Sequence, residues 1–99
     1  MIYCFDIDGT LCSTVHNGNY HDAIPIFKRI SHVNFLYNHG NHIIIFTARG
    51  STTGINWRKA TVAQLHDWGL LYHQLILGKP EADVFIDDKA FNAEDFVWN

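Results

Sequence analysis

Three short apolar runs, each ending abruptly at a polar residue, constrain this chain more than any other feature. Ile2-Tyr3-Cys4-Phe5 stops at Asp6, Ile43-Ile44-Ile45-Phe46 at Thr47, and Val84-Phe85-Ile86 at Asp87-Asp88. Runs of β-branched and aromatic residues with such boundaries read as buried strands. If the strands run parallel, their carboxyl ends share one edge of a sheet, where open α/β sheets bind ligands. Asp6, Asp8, Thr47, Asp87 and Asp88 would then meet in one crevice. Carboxylates gathered this way need a cation, and a hydroxyl beside them suits a phosphoryl group.

The elements between these runs support an α/β reading. Ile26, Phe27, Ile30, Val33 and Tyr37 recur at helical steps, with Pro25 near the start and Gly40 past the end. A second helix is expected from Trp57 to Trp68, with Trp57, Ala60, Leu65 and Trp68 on one side and Gly69 closing it. Leu75-Ile76-Leu77 reads as a further strand, and Asn92 as the cap of a last short helix. The stretch from Thr10 to Asp22 is polar and carries Asn17-Gly18, a turn signal that predicts a small flap. The expectation is one domain over residues 1–99, with a mainly parallel sheet of about four strands in a three-layer α/β/α sandwich.

Composition narrows the function. The formal charge of −3 argues against a general nucleic-acid binder, which would carry a basic face. No apolar run is long enough to span a membrane. The amino terminus enters a strand directly, without the basic start of a signal peptide. Cys4, inside an expected buried strand, and Cys12 do not form a disulfide framework, so a reduced cytoplasmic setting is expected. Seven histidines are scattered without tight ligand spacing. Of these, His16 and His21 in the flap are best placed to touch a substrate, while Trp57 and Trp68 read as core.

Phosphate monoesters resist attack because the nucleophile meets an anion. Asp6 is the candidate nucleophile, since carboxylates form acyl-phosphates. Asp8, two residues on, is placed to protonate the leaving oxygen and then to activate water. Mg²⁺ is the expected cation, with Asp6 and Asp87 as side-chain ligands. Thr47 and Lys79 can donate to phosphate oxygens. Arg49 and the Ser51–Thr53 loop are candidates to hold the rest of the substrate.

These residues carry a resemblance. Asp6-Ile7-Asp8-Gly9-Thr10 matches in full the first motif, Asp-x-Asp-Gly-Thr, of the haloacid dehalogenase superfamily. Thr47 resembles its second motif, Lys79 its third and Asp87-Asp88 its fourth. The resemblance covers essentially the whole chain. It implies a Rossmann-like core, Mg²⁺, an Asp6 nucleophile, an Asp8 acid/base and a metal bond from the Asp8 main-chain carbonyl. It places Thr10, Thr47, Ala48, Arg49 and Lys79 around the substrate. With no room for a cap domain, the chain is similar to small capless phosphatases, including those acting on sugar phosphates and those found with capsular polysaccharide genes. One departure is that Lys79 lies unusually close to Asp87, which leaves Lys89 as a fallback phosphate lysine.

The expected function is therefore Mg²⁺-dependent hydrolysis of a small phosphate ester, such as a sugar phosphate. A second copy of the chain is a candidate cover for the open site. The rivals are a phospho-acceptor signalling domain of response-regulator type and a phosphatase for polynucleotide ends. The acidic balance disfavours the latter.

Overall fold

The computed structural model describes residues Met1–Asn99. Strand β1 (Ile2–Phe5) leads through the flap to helix α1 (Phe27–Asn38) and strand β2 (His42–Thr47). Helix α2 (Arg58–Asp67) and strand β3 (Gln74–Leu77) follow. The strands form one parallel sheet in the order β1-β2-β3, with Phe5 opposite Ile45 and Thr47 opposite Leu77. No helix is long and apolar enough to cross a membrane.

The sheet has one sealed face. Ile43, Ile45 and Thr47 alternate along β2 and are buried, and the register sets Phe5 and Leu75 beside them. Ile30, Val33 and Leu36 of α1 and Leu65 of α2 join the same apolar cluster. Sequential strands linked by right-handed crossovers put successive helices on one side, which accounts for this. On the other face Ile2 is 71% and Ile76 40% exposed, and Cys4 is exposed too. The structure is thus a two-layer α/β arrangement, not the expected three-layer sandwich, and Cys4 is not buried.

The fourth strand is also absent. Val84, Phe85 and Ile86 are 72%, 52% and 97% exposed and pair with nothing. A parallel strand needs a crossover of about a dozen or more residues. Between Leu77 and Val84 the chain is too short for one. An apolar run alone does not make a parallel strand when the connection is too short for a crossover.

Elsewhere local signals hold. Asn17 and Gly18 both take positive φ, 57° and 66°, as the Asn-Gly turn requires. The flap contains a 3₁₀ turn, Tyr20–Asp22, but no strand ladder. Asn92 caps a single turn, accepting the Glu94 amide at 2.9 Å, and the expected last helix does not propagate. That turn instead delivers Phe96 and Trp98 to Phe5, with ring centroids 6.0 and 5.7 Å away. Trp57 and Trp68 flank α2 and are partly buried.

The asymmetry of the sheet yields a stability test. Ile45→Ala removes a fully buried side chain and is expected to cost about 3 kcal/mol, while Ile44→Ala, on the open face, should cost about 1 kcal/mol. Urea unfolding of both variants checks this. Equal losses would mean that both faces are covered in solution.

Candidate active site

The parallel register brings three strand ends together. Asp6 follows β1, Ala48 follows β2 and Gly78-Lys79 follow β3. The ladder runs one step past β3, because the Lys79 amide donates to the Thr47 carbonyl at 3.1 Å. Gly78, with φ 97°, makes the turn that this step needs. The Lys79 ammonium comes to rest 3.7 Å from Asp6 Oδ2. The pair sits at a shallow cleft of about 160 Å³ lined by Asp6, Ala48, Lys79, Pro80, Glu81 and Phe85 among others. Both side chains keep solvent contact, 33% for Asp6 and 21% for Lys79.

The electrostatics of Asp6 are mixed. Partial burial raises its carboxyl pKa above the ordinary value. The Lys79 charge and the Ile7 amide act in the opposite direction, and Asp8 adds a smaller upward push. Lys79 is steadied from the other side, its ammonium 4.8 Å from the centre of the Phe85 ring. The loop after β2 is tied to the same segment. Ser51 donates to the Lys79 carbonyl at 2.7 Å, and Thr52 donates to Glu81. Gly50, with φ 81°, cannot be replaced without collision, since a Cβ there would lie 2.1 Å from the Ile55 carbonyl oxygen.

Asp8 is held differently. The chain turns tightly after Ile7, whose carbonyl accepts the Thr10, Leu11 and Cys12 amides. Gly9 takes φ 80° in that turn. Asp8 then meets Arg49 in a two-pronged pair: Nε donates to Oδ2 and Nη2 to Oδ1, both at 2.9 Å. Arg49 Nη1 donates to Thr61 Oγ1 at 3.2 Å and to Gln64 Oε1 at 2.7 Å. The Tyr20 ring covers the guanidinium at 4.7 Å. Cys12 donates its thiol to Asp8 Oδ1 at 3.5 Å, and burial with the neighbouring Asp8 pushes that thiol up to about 12.

Several expectations change here. The Arg49 side chain is only 1% exposed and gives four of its five N–H donors to Asp8, Thr61 and Gln64, so it does not line the cleft as a substrate ligand. Thr47 is 1% exposed, and its hydroxyl accepts the Arg49 amide at 3.1 Å. In this arrangement it shapes the turn after β2. Thr10 is half-buried, and its carbonyl accepts Arg29 at 3.1 Å. Asp87 and Asp88 are exposed. Asp87 Oδ1 accepts the Lys89 amide at 2.9 Å, and that bond, helped by Asp88, holds the Asp87 carboxyl below its ordinary value. Asp6 pairs with Lys79 and not with the fallback Lys89.

The expected Mg²⁺ ligands are not assembled. No three His, Cys, Asp or Glu side chains gather where they could share an ion. Asp6 faces Lys79, Asp8 is clamped by Arg49, and Asp87 lies on an exposed turn because the strand meant to carry it does not form. The residues as placed do not fit the metal site that the resemblance implies. Sequence reasoning also passed over Tyr20, Thr61 and Gln64. Thr61 and Gln64 are three apart on α2 and share a face. That spacing of two polar residues was the only signal in the sequence.

In the flap, His16 lines a larger hollow of about 490 Å³ with Ser13, Thr14, Asn17, Asn19 and Asp22 among others. His21 instead lies 5.5 Å from the Trp57 ring.

No protein-family model matches the chain, and no curated protein does. Among solved structures, the chain is similar to a Vibrio cholerae protein crystallised as a structural-genomics target. The two share 24% sequence identity over 95% of this chain and 85% of that one, with a TM-score of 0.83. The likeness is one of fold: a small α/β chain with a parallel sheet.

Proposed function

We propose that the chain is a phosphomonoester hydrolase acting through an aspartyl-phosphate on Asp6. The observation that carries this reading is the Asp6–Lys79 pair, 3.7 Å apart in an open cleft at the shared carboxyl edge of the strands. A half-exposed carboxylate beside an ammonium suits attack on a phosphate: the cation offsets repulsion between two anions and can hold a phosphoryl oxygen as charge shifts onto it. The complete Asp-x-Asp-Gly-Thr sequence at the same place supports the reading.

The chemistry uses groups of the chain itself. An Asp6 oxygen forms a bond to phosphorus as the ester P–O bond breaks. The departing oxygen takes the electron pair of that bond and a proton from the Asp8 carboxyl. Water then attacks the acyl-phosphate and gives its proton to Asp8, which releases inorganic phosphate and restores both carboxyl groups. Asp8 Oδ2 accepts only the Arg49 Nε bond, which leaves it a lone pair for the proton. Mg²⁺ belongs to the proposal on the strength of the resemblance alone, and no step above depends on it. The open cleft suits a small ester such as a sugar phosphate, and two free thiols suit a reducing compartment such as the cytoplasm.

Steady-state assays on p-nitrophenyl phosphate test the assignment. Asp6→Asn is expected to lose at least about 10³-fold in kcat with its thermal melt retained. Lys79→Ala should lower kcat/KM by about 10²-fold, and Lys89→Ala by less than about twofold. A single phosphorylation without sustained turnover would favour the phospho-acceptor reading instead. For the cation, Mg²⁺ is added to chelator-treated protein, and a rise in both activity and Tm would support the ion that the resemblance implies. Full activity after chelation would remove Mg²⁺ from the proposal.

A further inference from the structure

We infer that Arg49 is a positioning residue for Asp8, and that the flap residue Tyr20 and the α2 residues Thr61 and Gln64 exist in part to hold Arg49 in that role. The inference rests on the hydrolase reading and extends it to the groups around the buried Arg49 guanidinium.

The geometry argues against the simpler role of phosphate ligand, because the side chain is 1% exposed and four of its five N–H donors are engaged by the protein. A substrate-binding arginine presents its guanidinium edge to the site. Here Nε and Nη2 are spent on the two Asp8 oxygens, and Nη1 on Thr61 and Gln64. The Tyr20 ring covers one face of the guanidinium at 4.7 Å. Tyr20 is itself fixed, edge-on to Trp57 at 4.9 Å and through its carbonyl, which accepts Gln64 Nε2 at 2.9 Å. Gln64 therefore uses its oxygen on Arg49 and its amide nitrogen on the flap, joining α2, the loop after β2 and the flap in one network.

What the network delivers is direction. A single hydrogen bond leaves a carboxyl free to rotate about its bond to Cβ. Two parallel bonds to one planar fork fix that plane. Proton transfer to a leaving oxygen is sensitive to such placement, and a misplacement of about 1 Å can cost about 10²-fold. Lysine cannot replace this fork, because its ammonium is a point donor.

The test compares two esters that differ in their need for a proton. p-Nitrophenolate leaves readily without one, whereas phenolate is a poorer leaving group. kcat/KM reports events up to the first irreversible step, here loss of the leaving group. Arg49→Lys and Arg49→Met are expected to lose about thirtyfold in kcat/KM on phenyl phosphate and less than about threefold on p-nitrophenyl phosphate. A contact to the phosphate, or a lower fraction of folded enzyme, would reduce both equally, and equal losses overturn the inference. Unchanged values for both esters overturn it too. If the Arg49 variants do not fold by circular dichroism, Tyr20→Leu is read in the same way. It should lose about tenfold selectively on phenyl phosphate, with Tyr20→Phe, which keeps the ring, restoring the ratio. A Tyr20→Leu variant with equal losses on the two esters overturns the inference. Wild-type protein inactive on both esters removes the hydrolase reading and this inference with it. Active wild-type protein whose variants lose equally removes the inference alone.

Discussion

The site depends on the parallel register of three strands. Because Phe5 lies opposite Ile45 and Thr47 opposite Leu77, the chain leaves all three strands at one edge. The extra rung from the Lys79 amide to the Thr47 carbonyl carries that alignment beyond β3 and sets the ammonium against Asp6. A slip of one residue would turn every side chain to the other face. Such a slip would bury Ile44 and Phe46 in place of Ile43 and Ile45 and would carry Lys79 away from Asp6. The hydrophobic pattern of β2 therefore holds the Asp6–Lys79 pair in place as well as the core.

Within that frame, two carboxylates two residues apart have opposite surroundings. Asp6 keeps contact with water and with a single cation held loosely at 3.7 Å. Asp8 is gripped at 2.9 Å through both oxygens by a guanidinium cut off from water. The tight turn that follows Asp8 passes through Gly9 at positive φ, and Asp8 there meets Arg49 of the loop after β2. One carboxyl stays open to solvent and the other is fixed in direction. This division suits a nucleophile beside a proton carrier.

The sequence revealed the helices and three strands because each has periodic apolar residues and a closing glycine or polar residue. It placed Asp6 directly after β1 and Lys79 two residues after β3, where the structure pairs them. It misled at Val84-Phe85-Ile86, where local composition says strand but the short connection from β3 denies it a parallel partner. Asp87 lost its expected place with that strand. Layer count was hidden too, since it depends on the hand of the crossovers and not on any one segment. Arg49 was visible as a charged loop residue, but its burial depends on Tyr20, Thr61 and Gln64 arriving from other elements. No local pattern encodes that meeting.

A guanidinium cut off from water in so small a chain calls for a reason other than stability. Removing two charges from water costs several kcal/mol per ion, and replacing a buried pair by apolar groups is often neutral or stabilising. Here the guanidinium sits between the flap residue Tyr20 and Thr61 and Gln64 of α2. Every polar partner is nevertheless supplied: two carboxylate oxygens, a threonine hydroxyl, a glutamine amide and an aromatic face. No buried side-chain nitrogen or oxygen is left without a hydrogen bond. A fully satisfied network of this kind fixes geometry well and contributes stability poorly. The group whose geometry it fixes is Asp8, so the cost of burying Arg49 makes physical sense if the direction of that carboxyl matters to the reaction.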